Sequence, residues 1–285
     1  MNLKDISLEI NHLLEKRRKE LELVFLEDKH IYHMKDIDDV VKSNYPSVSK
    51  IVGKFHEKFD SYGMSLKKSN GDPVLQKKLL NEWKESGRLS INLGSRTHYF
   101  LERDLINLYG NYKELRQPEF ECNEEQIIRS DNMIIAGNKF IDLMHERGAV
   151  LLDTEMVLGD PELGYTGQPD KGWLMLTKDK KDFGFVITDW KSNQKKNFET
   201  QWYTKKMFQP FQNYDDTSLS HYFIQIPLYG RLLMKMLQGT KFEDKKFLGG
   251  VIVLLIDDTN FIEYKIPQDV VNKIMTLDLK KYIDR

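Results

Sequence analysis

The chain has 285 residues, enough for one large domain or for one core with an elaboration. Its 43 basic and 44 acidic side chains leave a net charge of −1, which excludes a globally basic nucleic-acid-binding surface and requires any such contact to use a local patch. With 40% hydrophobic and 31% charged residues the composition is that of a soluble globular chain, and the lone Cys122 excludes an intramolecular disulfide and any four-cysteine zinc or iron–sulfur site.

Residues 3–23 read as a helix, with Ile6, Ile10, Leu13, Leu14 and Leu21 among many charges. The run Lys16 to Lys19 reads first as a solvated helix face. The first residues lack the apolar core of a signal peptide, and the longest apolar run, Val251 to Ile256, is too short to span a bilayer. The expected location is therefore cytoplasmic, with no membrane partner. Val24 to Leu26 and Ile31 to His33 form a plausible hairpin. After Pro46, either Ser47 or Ser49 is placed to cap a short helix. The polar stretch 60–73 reads as a loop, 73–87 as a helix, and Gly94 as the opening of another helix reaching Tyr109. Residues 124–147 are the clearest amphipathic helix, closed by Gly148.

The pattern then changes to strands at 150–158, 165–176 and 183–190, the last two joined as a hairpin through 177–182. Helices are expected at about 199–209 and 218–238, with Pro227 as a kink. Strands follow at 248–256 and 261–266, and a last helix at 268–282. This order predicts an α/β fold, a central mixed sheet with helices on its faces.

Two acids and a lysine stand at the ends of the 165–176 and 183–190 strands. Gly-Gln-Pro-Asp ends at Asp170, and Asp-Trp-Lys begins at Asp189 and ends at Lys191. A hairpin of this size brings the two segments together, where Asp170 and Asp189 can hold a hard cation through oxygen, with the Trp190 carbonyl as a further ligand. Such a cation polarises a phosphoryl group, and Lys191 can orient water or stabilise charge growing on phosphate. Other positions are ambiguous taken singly. His98 and Glu102 share a helix face, either as a metal ligand with its supporting acid or as a surface pair. Asp153 and Glu155 alternate on one strand and so point to the same side, or else mark a solvent-facing edge. Gln225 and Tyr229 share a helix face and either hold a phosphate or base edge or tip a core helix.

In order and spacing these pieces form one series: Gly94, His98 and Glu102; Glu155; Gly167 and Asp170; Asp189 and Lys191; Gln225 and Tyr229. The series resembles the RecB-like branch of the PD-(D/E)XK nucleases over about residues 94–256. The upstream Tyr45-Pro46-Ser47-Val48-Ser49 is similar to the Pro-Ser-Val-Thr segment of phage exonucleases and of the mitochondrial genome maintenance exonuclease, with Ser49 in place of the threonine.

That resemblance implies a restriction-endonuclease-like core over 91–285, and domain order alone suggests the mainly helical N-terminal extension, 1–90, as a cover for a DNA end. The resemblance also implies a metal-dependent DNA exonuclease acting at single-stranded ends in recombination, repair or replication, phage-encoded and working in the cytoplasm of a bacterial host. One or two Mg²⁺ or Mn²⁺ ions would bind His98, Asp170, Asp189 and the Trp190 carbonyl. Lys191 would be the catalytic lysine, Glu102 and Glu155 supporting acids, and Gln225, Tyr229, Ser47 and Ser49 contacts to nucleic acid. The chain lacks a Gly-x-x-x-x-Gly-Lys-Ser/Thr phosphate loop and four cysteines, so neither a nucleotide cofactor nor an iron–sulfur cluster is expected. Recombination or replication proteins are the expected protein partners. Lys195, Lys196 and Lys205, interleaved with Phe198, Trp202, Tyr203, Phe208 and Phe211, suit a single strand, or else belong to a helix that packs its aromatics inward. A structure-specific endonuclease and an inactive nucleic-acid-binding module remain the alternatives.

Overall fold

The strand Phe183–Lys191 is buried at every residue but its last, the mark of a strand covered on both faces. It is the middle strand of a five-stranded sheet, and the computed structural model describes that sheet within residues 2–26, 29, 31–109, 115, 118–193, 195, 198–199 and 205–283. Among these the helices are α1 (Leu3–Glu20), α2 (Val48–Val52), α3 (Ser61–Lys68), α4 (Pro73–Tyr109), α5 (Glu124–Glu146), α6 (Ser218–Met236), α7 (Gln268–Thr276) and α8 (Lys280–Ile283). The strands are β1 (Val24–Leu26), β2 (Ile31–Lys35), β3 (Val41–Ser43), β4 (Val150–Thr154), β5 (Leu158–Asp160), β6 (Tyr165–Gly167), β7 (Lys171–Leu176), β8 (Phe183–Lys191), β9 (Lys246–Leu255) and β10 (Phe261–Lys265).

The large sheet has the order β10-β9-β8-β7-β4. β7 pairs antiparallel with both β4 and β8, whereas β8 and β9 are parallel, so the sheet is mixed. A parallel pair needs a crossover, and α6 lies in the one between β8 and β9. The fold is thus α/β with a mixed sheet and flanking helices. β1, β2 and β3 form a separate antiparallel sheet, and β5 and β6 a two-stranded ribbon.

The chain divides into two units. The first comprises Met1–His56, Phe140–Leu254 and Glu263–Arg285, and the second Glu57–Lys139 and Leu255–Ile262. In the first unit, α1 buries Leu3, Ser7, Ile10 and Leu14, a three-to-four spacing that places one face inward. That face is tied to β4 by Ser7, whose hydroxyl donates to the Leu151 carbonyl at 2.7 Å, and by the Asn11 amide, which donates to the Leu152 carbonyl. In the second unit, α4 and α5 approach closely at Gly137, where an added Cβ would lie 2.5 Å from Leu101 Cδ2. The Thr97 and Ser130 hydroxyls bond at 2.9 Å, and the Gln126 amide donates to the Leu89 carbonyl at 2.9 Å.

Several expectations are corrected. The stretch read as a loop contains α3, because Asp60 accepts the Gly63 N–H at 2.9 Å and so caps a helix start. Gly87 does not interrupt α4, which runs unbroken from Pro73 to Tyr109 where two helices were expected. The segment 1–90 holds α1, α2, α3 and the start of α4, and its expected hairpin, β1 and β2, gains a third strand, β3. The expected strand 150–158 stops at Thr154, since Glu155 takes a left-handed φ of 47°. Asp153 and Glu155 therefore do not share a strand face. Of the helix expected at 199–209, residues 200–204 lie outside the described residues, and 205–209 are irregular. The last expected helix is two, α7 and α8, separated where Leu277 becomes extended.

Candidate active site

Strand register brings the acids together. The β4–β7 ladder pairs Thr154 with Lys171, and the β7–β8 ladder pairs Lys171 with Thr188. One residue further on, Glu155 falls beside Asp170, and Asp170 beside Asp189. The Glu155 N–H donates to the Asp170 carbonyl at 2.9 Å, and Asp170 Oδ2 accepts the Trp190 N–H at 2.7 Å. Carboxylate oxygens of Glu155 and Asp170 lie within 4.8 Å of one another. Three acids thus form a row across the ends of three adjacent strands. The left-handed backbone at Glu155 costs about 1–3 kcal/mol, and the cost falls at the point where the chain leaves β4 for this row.

Burial makes the row electrostatically tense. Asp170 and Asp189 are 8% and 2% exposed, and a buried carboxylate needs a compensating partner. Lys191, two residues along β8 from Asp189 and on the same face, forms an ion pair with it. Burial works against the Lys191 charge, but Asp189 and Asp170 outweigh it and hold the ammonium pKa above its ordinary value. The same two acids thus favour the charged form of Lys191. Its Nζ also sits 4.3 Å from the centre of the Tyr222 ring. Trp190, between the two charged residues, points the other way and packs edge-on against Phe140 at 5.5 Å, with Lys171 Nζ 4.6 Å from its ring centre.

One face of α6 lines the row. Tyr222, Gln225 and Tyr229 follow at helical spacing, and Gln225 Nε2 donates to the Tyr229 hydroxyl at 2.7 Å. Burial, and then the charge of Asp189, push the Tyr229 phenol well above its usual pKa, so it stays neutral and keeps a proton to donate. Burial does the same for Tyr222, although Lys191 opposes it. Gly167 makes the approach of α6 possible. A Cβ there would meet Tyr229 Cε1 at 2.7 Å and Val48 Cγ2 at 2.8 Å. The Pro-Ser-Val segment is held at the same point, because the Thr166 N–H donates to the Pro46 carbonyl at 3.1 Å and Ser47 bridges Thr166 in parallel. Three sequence motifs that looked independent meet at this glycine.

Of the expected site residues, Asp170, Asp189, Lys191, Glu155, Gln225 and Tyr229 are gathered in the first unit. Ser47 caps α2, accepting the Lys50 N–H at 3.4 Å, and Ser49 is exposed one turn on. His98 and Glu102 stand one turn apart on α4 in the second unit, half-buried and buried. Lys195 and Lys205 are exposed, while Lys196, Trp202 and Tyr203 lie outside the described residues. The aromatic patch is partly corrected. Phe198 and Phe211 are fully buried, Phe198 against Tyr222 at 5.7 Å and Phe211 against Phe55 at 5.0 Å, so they build the core and offer no ring to a base. Phe208 remains half-exposed. Sequence reasoning missed Tyr222, although it lies three residues before Gln225 and seven before Tyr229 on the same helical stripe.

The row offers only carboxylate oxygens, the donor set of a hard divalent cation. The neighbouring lysine and neutral phenol suit an anionic substrate. Comparison with models of known protein families gives no match, and no curated protein matches the sequence.

Proposed function

We propose that the first unit hydrolyses phosphodiester bonds with Mg²⁺ or Mn²⁺, and that the protein is a DNA exonuclease acting at single-stranded ends. The observation that carries this reading is the row Glu155, Asp170 and Asp189, closed by a lysine that its own acids keep charged. The resemblance of the motif series to RecB-like nucleases, which implies a restriction-endonuclease-like core, supports it and supplies the choice of DNA.

Asp170 and Asp189 would hold the ion, with Glu155 beside them and the Trp190 carbonyl as a further oxygen. The motif series adds His98 to the ligand set and Glu102 in a supporting role. When bound, the ion supplies Lewis-acid polarisation of the phosphate and a more acidic water. Lys191 places its positive charge where negative charge grows on the phosphate oxygens, a contact stronger in the transition state than in the ground state. Tyr222 lies against the lysine and limits its freedom. Tyr229, oriented by Gln225, presents a neutral hydroxyl that donates to the phosphate or to the base edge. Lys195, Lys196 and Lys205 supply local positive charge for the strand, and recombination or replication proteins are the matching protein partners.

The test is digestion of end-labelled linear single-stranded DNA beside a closed single-stranded circle, with Mg²⁺, Mn²⁺ or EDTA. Metal-dependent loss of the linear strand alone is the expected result. Cleavage of the circle replaces the exonuclease with an endonuclease, and no cleavage of linear, circular or duplex DNA by folded protein removes the nuclease reading.

A further inference from the structure

A second group of ligand-type side chains lies apart from the acidic row, within the first unit. His56 follows the end of α2, Asp216 lies just before α6, and His221 is in the first turn of α6, which Thr217 caps. Nitrogen and carboxylate oxygen atoms of the three lie within 4.8 Å of one another. His221 Nε2 and Asp216 Oδ1 are 2.6 Å apart, and the imidazoles of His56 and His221 stack with centroids 3.7 Å apart and planes 18° from parallel. Asp216 is 6% exposed and both histidines are half-buried.

Face-to-face imidazoles beside a buried carboxylate are an unusual way to fill space. Stacking disfavours a charge on both rings at once, and neutral imidazole is the form that binds metal. The donor set is two nitrogens and one oxygen. It suits a borderline transition ion, whereas Mg²⁺ prefers oxygen and retained water.

We propose that His56, Asp216 and His221 form a Zn²⁺ site that ties the segment after α2 to the first turn of α6. Zn–N and Zn–O distances of about 2.0–2.2 Å require the stacked rings to swing apart slightly, so that both nitrogens converge with the carboxylate on one ion. As the ion takes His221 Nε2 from its hydrogen bond with Asp216, the single ring proton of the neutral imidazole moves to Nδ1 and Asp216 binds as a carboxylate, so no net proton is lost. Three protein ligands leave a fourth position for water. The bound ion clamps α2 against the helix that carries Tyr222, Gln225 and Tyr229. The inference does not rest on the phosphodiester reading, because its measurements are of binding.

Full-length protein carrying Asp189→Asn, stripped with a chelator, is titrated with Zn²⁺ by calorimetry and with Co²⁺ by visible absorption. One equivalent of Zn²⁺, a raised Tm and a Co²⁺ band characteristic of low coordination are expected, with no such response to Mg²⁺. Adding His56→Gln or His221→Gln weakens the binding by about 10-fold or more. If His221→Gln fails to fold, the half-exposed His56→Gln decides, with circular dichroism confirming its fold. Absence of Zn²⁺ binding in the Asp189→Asn protein, or undiminished binding in His56→Gln, overturns the proposal.

Discussion

Each end of the β7–β8 hairpin holds an aspartate paired with a lysine, and the two aspartates differ sharply in burial. At the turn, Asp182 pairs with Lys245 at 3.0 Å while 49% exposed, and the Phe183 N–H and then Lys245 lower its pKa. At the open end, Asp189 is 2% exposed and pairs with Lys191 under the rings of α6. An exposed pair contributes about 0.2–1 kcal/mol, because water screens it and two flexible side chains must be ordered. A buried pair costs desolvation of both partners and repays it only with close geometry and further polar contacts. A fold gains little by adding two more acids beside such a pair. Glu155 and Asp170 are nonetheless there, which makes the open end the candidate site.

That contrast orders the expected effects. Asp189→Ala or Lys191→Ala should lower the rate of DNA cleavage by about 100-fold or more, with the fold retained by circular dichroism. Full activity in either variant removes the site from the mechanism. Gly167→Ala forces a methyl against Tyr229 and Val48 and should destabilise the protein by about 1–3 kcal/mol, read as a lower denaturant midpoint. An unchanged midpoint would show that α2 and α6 can part at little cost. Tyr222→Leu removes the cation–π contact over Lys191, about 0.5–2 kcal/mol, and should lower kcat more than it raises KM. An effect confined to KM would make Tyr222 a substrate contact. Asp182→Asn, at the other end of the same strands, should change stability by less than about 1 kcal/mol and leave cleavage unaltered.

Much of this arrangement was legible in the sequence, for identifiable reasons. β8 and α6 were readable because a buried strand is a continuous apolar run and α6 repeats at helical spacing. The hairpin length alone placed Asp170 and Asp189 at one end, which the register confirms. Elsewhere local signals misled. Gly87 suggested a break, yet one glycine costs a long helix only about 1 kcal/mol, and α4 continues through it. The polarity of 60–73 hid α3, whose start depends on a single Asp60 cap. Glu155 could not be placed from alternation, because its left-handed backbone takes the chain out of the strand period. Phe198 and Phe211 looked available for stacking bases, but composition does not say which face of an aromatic segment is covered.

The most direct test compares single-turnover cleavage of end-labelled linear single-stranded DNA by the wild-type protein, Asp189→Asn and Asp182→Asn, each with Mn²⁺ after chelator treatment. Loss of cleavage in Asp189→Asn alone, with Asp182→Asn matching the wild type, is the predicted result. Equal cleavage by all three proteins would contradict the claim that the buried acidic row performs the chemistry.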